Sequence, residues 1–138
     1  MSFLLDTNLV SEVMRTSPEP LILSWLKSNE DVSFLSSITV GEIERGIGLL
    51  PAGRKRQRLQ EAFAEFVVVL EERVLGFDFE TARYWAQLTV AAQRAWRKLP
   101  VLDSMIEATA LRWNLTLVTR NTNDFFRVAT LNPWSSRP

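Results

Sequence analysis

The chain opens on a short apolar run followed directly by polar side chains, and this opening constrains the fold more than any other stretch. Residues 3–5 are apolar without a break, which is typical of a strand buried on both faces of a parallel sheet. Asp6 follows at once, and an amphipathic run over residues 9–14 predicts a helix. Asp6 is therefore expected at the carboxyl edge of the sheet, where open α/β sheets bind ligands.

The composition is that of an ordinary globular protein. The chain has 138 residues, of which 46% are hydrophobic and 23% charged, so we expect one domain over residues 1–138. The longest apolar run, residues 66–70, is too short to span a membrane, and no signal peptide is evident. Because cysteine is absent, no disulfide framework is possible and a cytoplasmic location is expected.

The absence of both histidine and cysteine restricts the possible chemistry. It excludes a Ser-His-Asp triad, a cysteine nucleophile, histidine acid–base catalysis and an ordinary zinc site. An enzyme of this composition must use carboxylates, hydroxyls, lysine and arginine. A metal held by oxygen atoms alone is a hard cation such as Mg²⁺ or Mn²⁺. With a formal net charge of zero, any nucleic-acid binding must come from local basic patches.

Apolar strand patterns alternate with helical patterns along the chain, which predicts a three-layer α/β domain. The predicted strands cover residues 3–5, 31–36, 74–77, 115–119 and 128–131. The main predicted helices cover residues 39–50, 79–98 and 104–113, with others beginning near residues 9, 18 and 54, and a short one at 125–126.

Four acids fit two interpretations. Asp6 and Asp103 could be helix N-caps, and Asp124 a turn or cap residue. Glu42 lies three residues after Thr39, the spacing of a capping box, so its carboxylate could bond to its own backbone. Taken singly, each acid is explained by these structural roles.

Taken together, the acids favour a site. Asp6 and the loop after residue 119 both follow strands, and Glu42 opens a helix soon after another strand, so these positions share one edge of a parallel sheet. Asp103 follows no predicted strand, whereas Glu107 lies one turn beyond it and is expected to join the group. Two carboxylates ~4 Å apart repel by about 4 kcal/mol at an effective dielectric constant of ~20. A divalent cation would relieve this repulsion and activate a water, which suits phosphodiester hydrolysis.

Four motifs in order give the chain a family resemblance. They are Asp6-Thr7-Asn8, residues 37–43 (SITVGEI), residues 103–110 (DSMIEATA) and residues 117–121 (LVTRN), with residues 132–134 (NPW) near the end. In order and spacing they resemble the PIN-domain family, and are most similar to its VapC and FitB branch of bacterial toxins. The match covers almost the whole chain.

The resemblance implies a three-layer α/β/α fold with a short central parallel sheet and the activity of a Mg²⁺- or Mn²⁺-dependent endoribonuclease. It also implies the toxin half of a toxin–antitoxin pair, a homodimer, RNA as substrate and a VapB/FitA-type antitoxin as partner. Asp6, Glu42 and Asp103 match the family's first three acids. Asp6 and Asp103 are expected to bind the metal, and Glu42 to hold or deprotonate the attacking water, so the three carboxylates should meet around one ion.

One position departs from the family pattern. A fourth acid usually follows the Thr-Arg pair directly, and here that position is Asn121, which supplies no charge. Asp124 is expected to compensate if its loop folds back, and the number of metal ions, one or two, stays open. Thr7, Asn8 and Thr119 are expected to orient the carboxylates by hydrogen bonds; turn and cap chemistry explains them equally well.

Basic residues near the acids are candidates for contacts with RNA phosphates. A basic run at the start of a predicted helix, Arg54, Lys55, Arg56 and Arg58, could steer RNA by charge. A solvated helix face is the structural alternative for this run. Arg45, one turn beyond Glu42, is the better candidate for a phosphate contact.

Two rival functions fit less of the sequence. A phosphatase of the haloacid-dehalogenase type requires Asp-x-Asp after its first strand, but the third position here is Asn8. A degenerate PIN domain that only binds RNA or protein is favoured by Asn121 alone. Neither a dinucleotide-binding glycine motif after a strand nor a Walker A loop is present.

Overall fold

The structure, a computed structural model, describes residues 1–135. Within these residues, six α-helices surround five short strands. The strands are β1 (Phe3–Leu5), β2 (Ser33–Ser36), β3 (Val74–Leu75), β4 (Thr116–Val118) and β5 (Thr130–Leu131). The helices are α1 (Thr7–Val13), α2 (Pro20–Asn29), α3 (Ser37–Gly48), α4 (Arg54–Leu70), α5 (Phe79–Arg94) and α6 (Val101–Arg112). No helix in this described part combines the length and apolar surface that a bilayer crossing demands.

The five strands form one parallel sheet with β1 at its centre. The order is β3-β2-β1-β4-β5, and Leu4 of β1 is in register with Phe34 of β2 and Leu117 of β4. Since parallel neighbours need crossover connections, helices cover both faces of the sheet. The arrangement confirms the predicted three-layer α/β/α fold with a short central parallel sheet.

The two faces of β1 contact two separate apolar cores. Phe3 and Leu5 point into a large core shared with α1, α2, α3 and α4, where the ring of Trp25 contacts Phe3 edge-on at 5.1 Å. Leu4 points the other way, into a core with Ile106 of α6. Successive side chains of a strand alternate between faces, so three consecutive apolar residues are needed where both faces are covered.

Several element bounds differ from the predicted ones. β2 begins at Ser33 because residues 30–32 form a 3₁₀ turn. The helix α3 begins two residues earlier than predicted, since the Ser36 hydroxyl accepts the Ile38 N–H and caps it. Helix α5 ends before residue 95 because Trp96 adopts a left-handed backbone (φ 58°). The predicted short helix at residues 125–126 is instead a 3₁₀ turn over Thr122–Asp124.

Helix α6 also begins earlier than predicted, at Val101, and this change places Asp103 in its first turn. A helix that leads into a parallel strand runs antiparallel to that strand, so its amino terminus lies at the carboxyl edge of the sheet. Asp103 therefore reaches the same edge as Asp6, although no strand precedes it. The polar residues of this edge form the candidate site.

Candidate active site

Asp6 lies at the centre of a buried hydrogen-bond network. Its side chain is 5% exposed, and it caps α1 by accepting the Thr7 N–H at 2.8 Å. The other carboxylate oxygen accepts the Thr119 hydroxyl at 2.7 Å and the Asn8 amide at 3.1 Å. The N-cap interpretation of Asp6 is confirmed, and the same side chain also connects β1 to the residue that follows β4.

Asn8 extends this network to the backbone beyond β4. Its amide nitrogen lies 3.2 Å from the Thr119 hydroxyl, and its carbonyl oxygen accepts the Arg120 N–H at 3.3 Å. Thr119 itself is fully buried. Asn8 and Thr119 therefore hold the Asp6 carboxylate in one orientation, which is the positioning the sequence predicts for them.

Glu42 does not form the capping box that its spacing from Thr39 predicts. Ser36 caps α3, and Thr39 is fully buried inside the helix, 3.3 Å from the Thr7 hydroxyl oxygen. The Thr7 hydroxyl instead donates to Oε1 of Glu42 at 2.7 Å. Glu42 is thereby turned toward Asp6, across the gap between α3 and α1.

Asp103 is half-buried, and its side chain makes no hydrogen bond with any residue in the range 1–135. The N-cap of α6 is Pro100, so Asp103 does not cap the helix. Burial, together with the negative charges of Asp6, Glu42, Asp124 and Glu107, raises the pKa of Asp103 from 3.8 to about 6. The carboxylate therefore lies in a site of concentrated negative charge.

The pKa of Asp6 is also raised above its usual value. Burial is the main cause, and the charges of Glu42 and Asp124 add to it, while hydrogen bonds from Thr119 and Thr7 oppose the shift. Charges from three separate elements thus act on one another at this edge of the sheet. Such mutual repulsion is typical of acids that are arranged to share a cation.

The carboxylates do not form a ready-made metal cage. Within residues 1–135, no group of three or more acidic side chains is placed to hold a metal ion. The sequence predicts that Asp6, Glu42 and Asp103 meet around one ion. The structure brings their charges near one another but does not place the three carboxylates as ligands of one ion. Mg²⁺ usually binds through one or two carboxylates and completes its octahedron with waters and phosphate oxygens. The oxygen-only donors of Asp6 and Asp103, with Glu42 nearby, fit this pattern of coordination.

The loop after β4 folds back toward the acids. The Thr119 hydroxyl accepts the Asn121 N–H at 3.0 Å, and the Asn121 carbonyl accepts the Asp124 N–H at 3.0 Å. The side chains of Asn121 and Asp124 are exposed. Asp124 is close enough for its charge to affect the pKa of both Asp6 and Asp103.

Glu107 lies one turn beyond Asp103 on α6, and its side chain contacts the backbone of residues 126–128. It is fully buried, and its carboxylate accepts backbone N–H groups of Phe126, Arg127 and Val128. These bonds engage both oxygens of Glu107 with the backbone of the loop. The sequence predicts that Glu107 joins Asp103 in the site. In the structure its carboxylate instead binds the backbone of the loop that follows Asp124.

The basic residues near the site are distributed around a groove of ≈ 670 Å³ that begins at Thr7 and Glu42. Lys55 and Arg58, both in the predicted basic run, line this groove, as does Arg15, for which the sequence predicts no RNA contact. Arg45, Arg54 and Arg56 do not line it; Arg56 instead donates to the Leu50 carbonyl at 3.3 Å. Arg58 shares the helical face of Lys55 at about one turn's spacing, so both side chains reach the groove.

Replacement of Thr7 with Val tests the contact between Thr7 and Glu42. Valine keeps the shape but removes the hydroxyl that orients Oε1, so we expect any turnover that depends on Glu42 to fall about 10- to 100-fold. Thr7→Ser retains the hydroxyl and should keep most of the rate. Steady-state kinetics of RNA cleavage check this; equal rates for Thr7→Val and the wild type would contradict a role for the bond.

The chain matches a known protein family over most of its length. The model of the PIN domain family matches residues 3–131. The chain therefore belongs to the PIN-domain family.

Within that family, the chain is similar to toxins and ribonucleases. It is 40% identical to Toxin FitB of Neisseria gonorrhoeae, over 95% of this chain and 97% of FitB. It is 33% identical to VapC ribonuclease Y4jK of Sinorhizobium fredii, over 94% of this chain and 96% of that protein. The crystal structure of FitAcB from Neisseria gonorrhoeae superposes with a TM-score of 0.89 at 37% identity, covering 96% of this chain and 98% of that one.

Proposed function

We propose that this protein is a Mg²⁺- or Mn²⁺-dependent endoribonuclease and the toxin of a toxin–antitoxin pair. The observation that carries the proposal is the convergence of charge at the sheet edge, where Asp6, Glu42 and Asp124 help to raise the pKa of Asp103 to about 6. Acids from separate elements would be costly to keep together without a cation. Similarity to a protein named FitB toxin and to one named VapC ribonuclease supports the choice of reaction.

Each acid has a separate role in this proposal. A bound Mg²⁺ or Mn²⁺ would supply Lewis acidity at the phosphate and lower the pKa of a water molecule. Asp6 and Asp103 are the residues that would hold the ion. Asp6 is fixed by hydrogen bonds from Thr7, Asn8 and Thr119, whereas Asp103 has none within the described residues and is free to adjust.

Glu42 is the proposed acceptor of the proton that the attacking water loses. Its Oε1 is held by the Thr7 hydroxyl at 2.7 Å, and no hydrogen bond from residues 1–135 engages its Oε2. Hydrolysis forms a bond between the water oxygen and phosphorus, breaks one P–O bond of the RNA backbone and transfers a proton to the leaving oxygen. Because Glu42 is held in one orientation, its carboxylate is placed to accept the proton of the attacking water.

The groove beside Glu42 is the proposed path of the RNA strand. Arg15, Lys55 and Arg58 line it and could contact backbone phosphates on the way to the acids. Because the net charge of the whole chain is zero, such a local strip must provide the attraction. A FitA- or VapB-type antitoxin and a second copy of this chain are the proposed protein partners.

Cleavage of RNA by the purified chain tests the proposed function. We expect endonucleolytic products when millimolar Mg²⁺ or Mn²⁺ is present and none when EDTA replaces the metal. A homogeneous RNA with one end labelled would show whether cuts are internal. Cleavage that continues in EDTA would contradict metal dependence.

The same assay separates the rival functions. A phosphatase would release phosphate from a small phosphomonoester and leave RNA intact. A degenerate domain would bind RNA with or without metal and cut nothing. The latter outcome would assign the site to binding, with Asn121 as the residue that replaces a needed acid.

A further inference from the structure

A buried carboxylate fixes the loop that carries Asp124. Glu107 is fully buried on α6, and it accepts N–H groups from three consecutive residues: Phe126 at 3.0 Å, Arg127 at 2.6 Å and Val128 at 3.0 Å. Burying a carboxylate is costly unless it is hydrogen-bonded, and three backbone donors compensate for that cost. The contact therefore determines the path of the backbone over these residues.

Arg97 holds the other end of the same loop. From the connection between α5 and α6, one guanidinium nitrogen of Arg97 donates to the carbonyls of Asn123 and Phe125, the latter at 3.0 Å. Arg97 thus binds carbonyl oxygens on the amino-terminal side of the loop, and Glu107 binds N–H groups on the carboxyl-terminal side. We call these two residues the loop clamp.

The clamped segment is continuous with the acid site. The Thr119 hydroxyl donates to Asp6 and accepts the Asn121 N–H, and the Asn121 carbonyl accepts the Asp124 N–H. Asp124 therefore lies on a turn that is fixed to Asp6 at one end and to the loop clamp at the other. The negative charge of Asp124 is one of the causes that raise the pKa of both Asp6 and Asp103.

We propose that Glu107 and Arg97 are positioning residues that hold Asp124 at the acid site, where it supplies the fourth carboxylate in place of Asn121. This inference rests on the proposed function, because it assigns Asp124 to the same metal site. A loop clamp of purely structural value would stabilise the fold and leave the affinity for metal unchanged. The two roles are separated by measuring Mn²⁺ binding and not activity alone.

A double-mutant cycle on Mn²⁺ affinity tests the proposal. The variants are Asp124→Asn, Glu107→Ala and the double variant, each titrated with Mn²⁺ by electron paramagnetic resonance after circular dichroism has verified folding. We expect each single variant to lose about 10-fold in affinity and the double variant to be no weaker than either. Losses that multiply, or an unchanged affinity in Glu107→Ala or in Asp124→Asn, would overturn the inference.

Arg97 provides a second pair of variants should Glu107→Ala fail to fold. Arg97→Ala is expected to lower Mn²⁺ affinity to the same extent as Asp124→Asn, whereas Arg97→Lys should retain part of it by donating to the same carbonyls. Wild-type affinity in a folded Arg97→Ala protein would contradict the role of the loop clamp.

Arg73 is the matched control. It also donates to backbone carbonyls, those of Ser33 at 2.9 Å, Glu30 at 3.2 Å and Val69 at 3.5 Å, but at the amino edge of the sheet. Arg73→Ala should lower stability while Mn²⁺ affinity stays at the wild-type value.

The outcomes for the clamp and for the proposed function can be told apart. If the variants change Mn²⁺ affinity as expected but the wild type leaves RNA intact, the proposed function is refuted and the loop clamp is retained. If the wild type cleaves RNA but the variants do not change Mn²⁺ affinity as expected, only the loop clamp is refuted. A wild type that binds no Mn²⁺ would overturn the clamp inference and metal dependence together.

Discussion

Asp103→Asn is expected to abolish RNA cleavage while leaving the protein folded and more stable near neutral pH. Asparagine has the same shape but cannot supply the negative charge that a divalent cation requires. Metal ions contribute several kcal/mol of transition-state stabilisation, so the loss should be on the order of 10³-fold or more. The measurement is single-turnover cleavage of a labelled RNA in saturating Mg²⁺.

The gain in stability follows from the raised pKa of Asp103. A carboxyl whose pKa is about 6 in the folded state and 3.8 in the unfolded state binds its proton more tightly when folded. Its contribution to stability is fully present below the unfolded pKa and is lost as the pH rises through about 6. Above that pH the charged carboxylate destabilises the metal-free fold.

Asp103→Asn removes this penalty. In EDTA at about pH 7.5, we expect its free energy of unfolding to exceed that of the wild type by about 1–2 kcal/mol, after allowance for solvent screening. The difference should shrink toward zero as the pH is lowered to about 4. Urea unfolding at both pH values measures it. A variant that is less stable than the wild type at the higher pH would mean that Asp103 has a structural role.

Asp6→Asn is a less clean test because Asp6 accepts three hydrogen bonds. An amide at this position would direct its own N–H donors toward those of Asn8 or Thr119. Loss of a buried acceptor costs about 1–3 kcal/mol, which opposes the gain from removing a charge. A stability change in this variant therefore does not separate the metal site from the cap of α1.

Divalent cations are expected to stabilise the wild-type protein strongly. A ligand that binds only the folded state at about 100 times its dissociation constant adds about 2.7 kcal/mol, which for a chain of this size is roughly an 8–10 °C rise in Tm. The measurement is thermal unfolding with and without Mg²⁺ or Mn²⁺ at about pH 7.5. Relief of repulsion among Asp6, Glu42 and Asp103 is the physical cause.

Two variants show whether this stabilisation depends on the acid site. Asp103→Asn should lose most of the metal-induced rise in Tm. Asp31→Asn alters an exposed acid in the 3₁₀ turn before β2, away from the site, and should keep the full rise. If all three proteins were stabilised equally, the metal would act elsewhere on the surface.

The central strand and its acid could be predicted because local sequence determines them. An unbroken apolar run at residues 3–5 requires a doubly covered strand, and a carboxylate next to it is an effective helix cap. The alternation of strand and helix patterns then predicts the layers. These features depend on neighbours in the chain, and the structure confirms the resulting fold.

Contacts between distant residues could not be predicted in this way. Glu42 matches a capping box locally, but Thr7, 35 residues away, provides a better hydrogen bond once the elements pack. The sequence predicts too late a start for α6 because Val101 and Leu102 are exposed and do not follow the apolar face.

Glu107 makes another contact that its position in the sequence does not predict. Its four-residue spacing from Asp103 favours a shared helical face. Its actual partners are the N–H groups of Phe126, Arg127 and Val128, in irregular backbone about 20 residues downstream. Backbone donors leave no signature in side-chain sequence, so the role of Glu107 emerged only from the folded structure.

Anomalous diffraction from crystals grown with Mn²⁺ at about pH 7.5 tests most directly whether acids from separate elements share one cation. We expect a manganese peak between the carboxylates of Asp6 and Asp103, with Glu42 beside it, and its loss in Asp103→Asn crystals. A protein that cleaves RNA in Mn²⁺ but shows no peak at that position would contradict it.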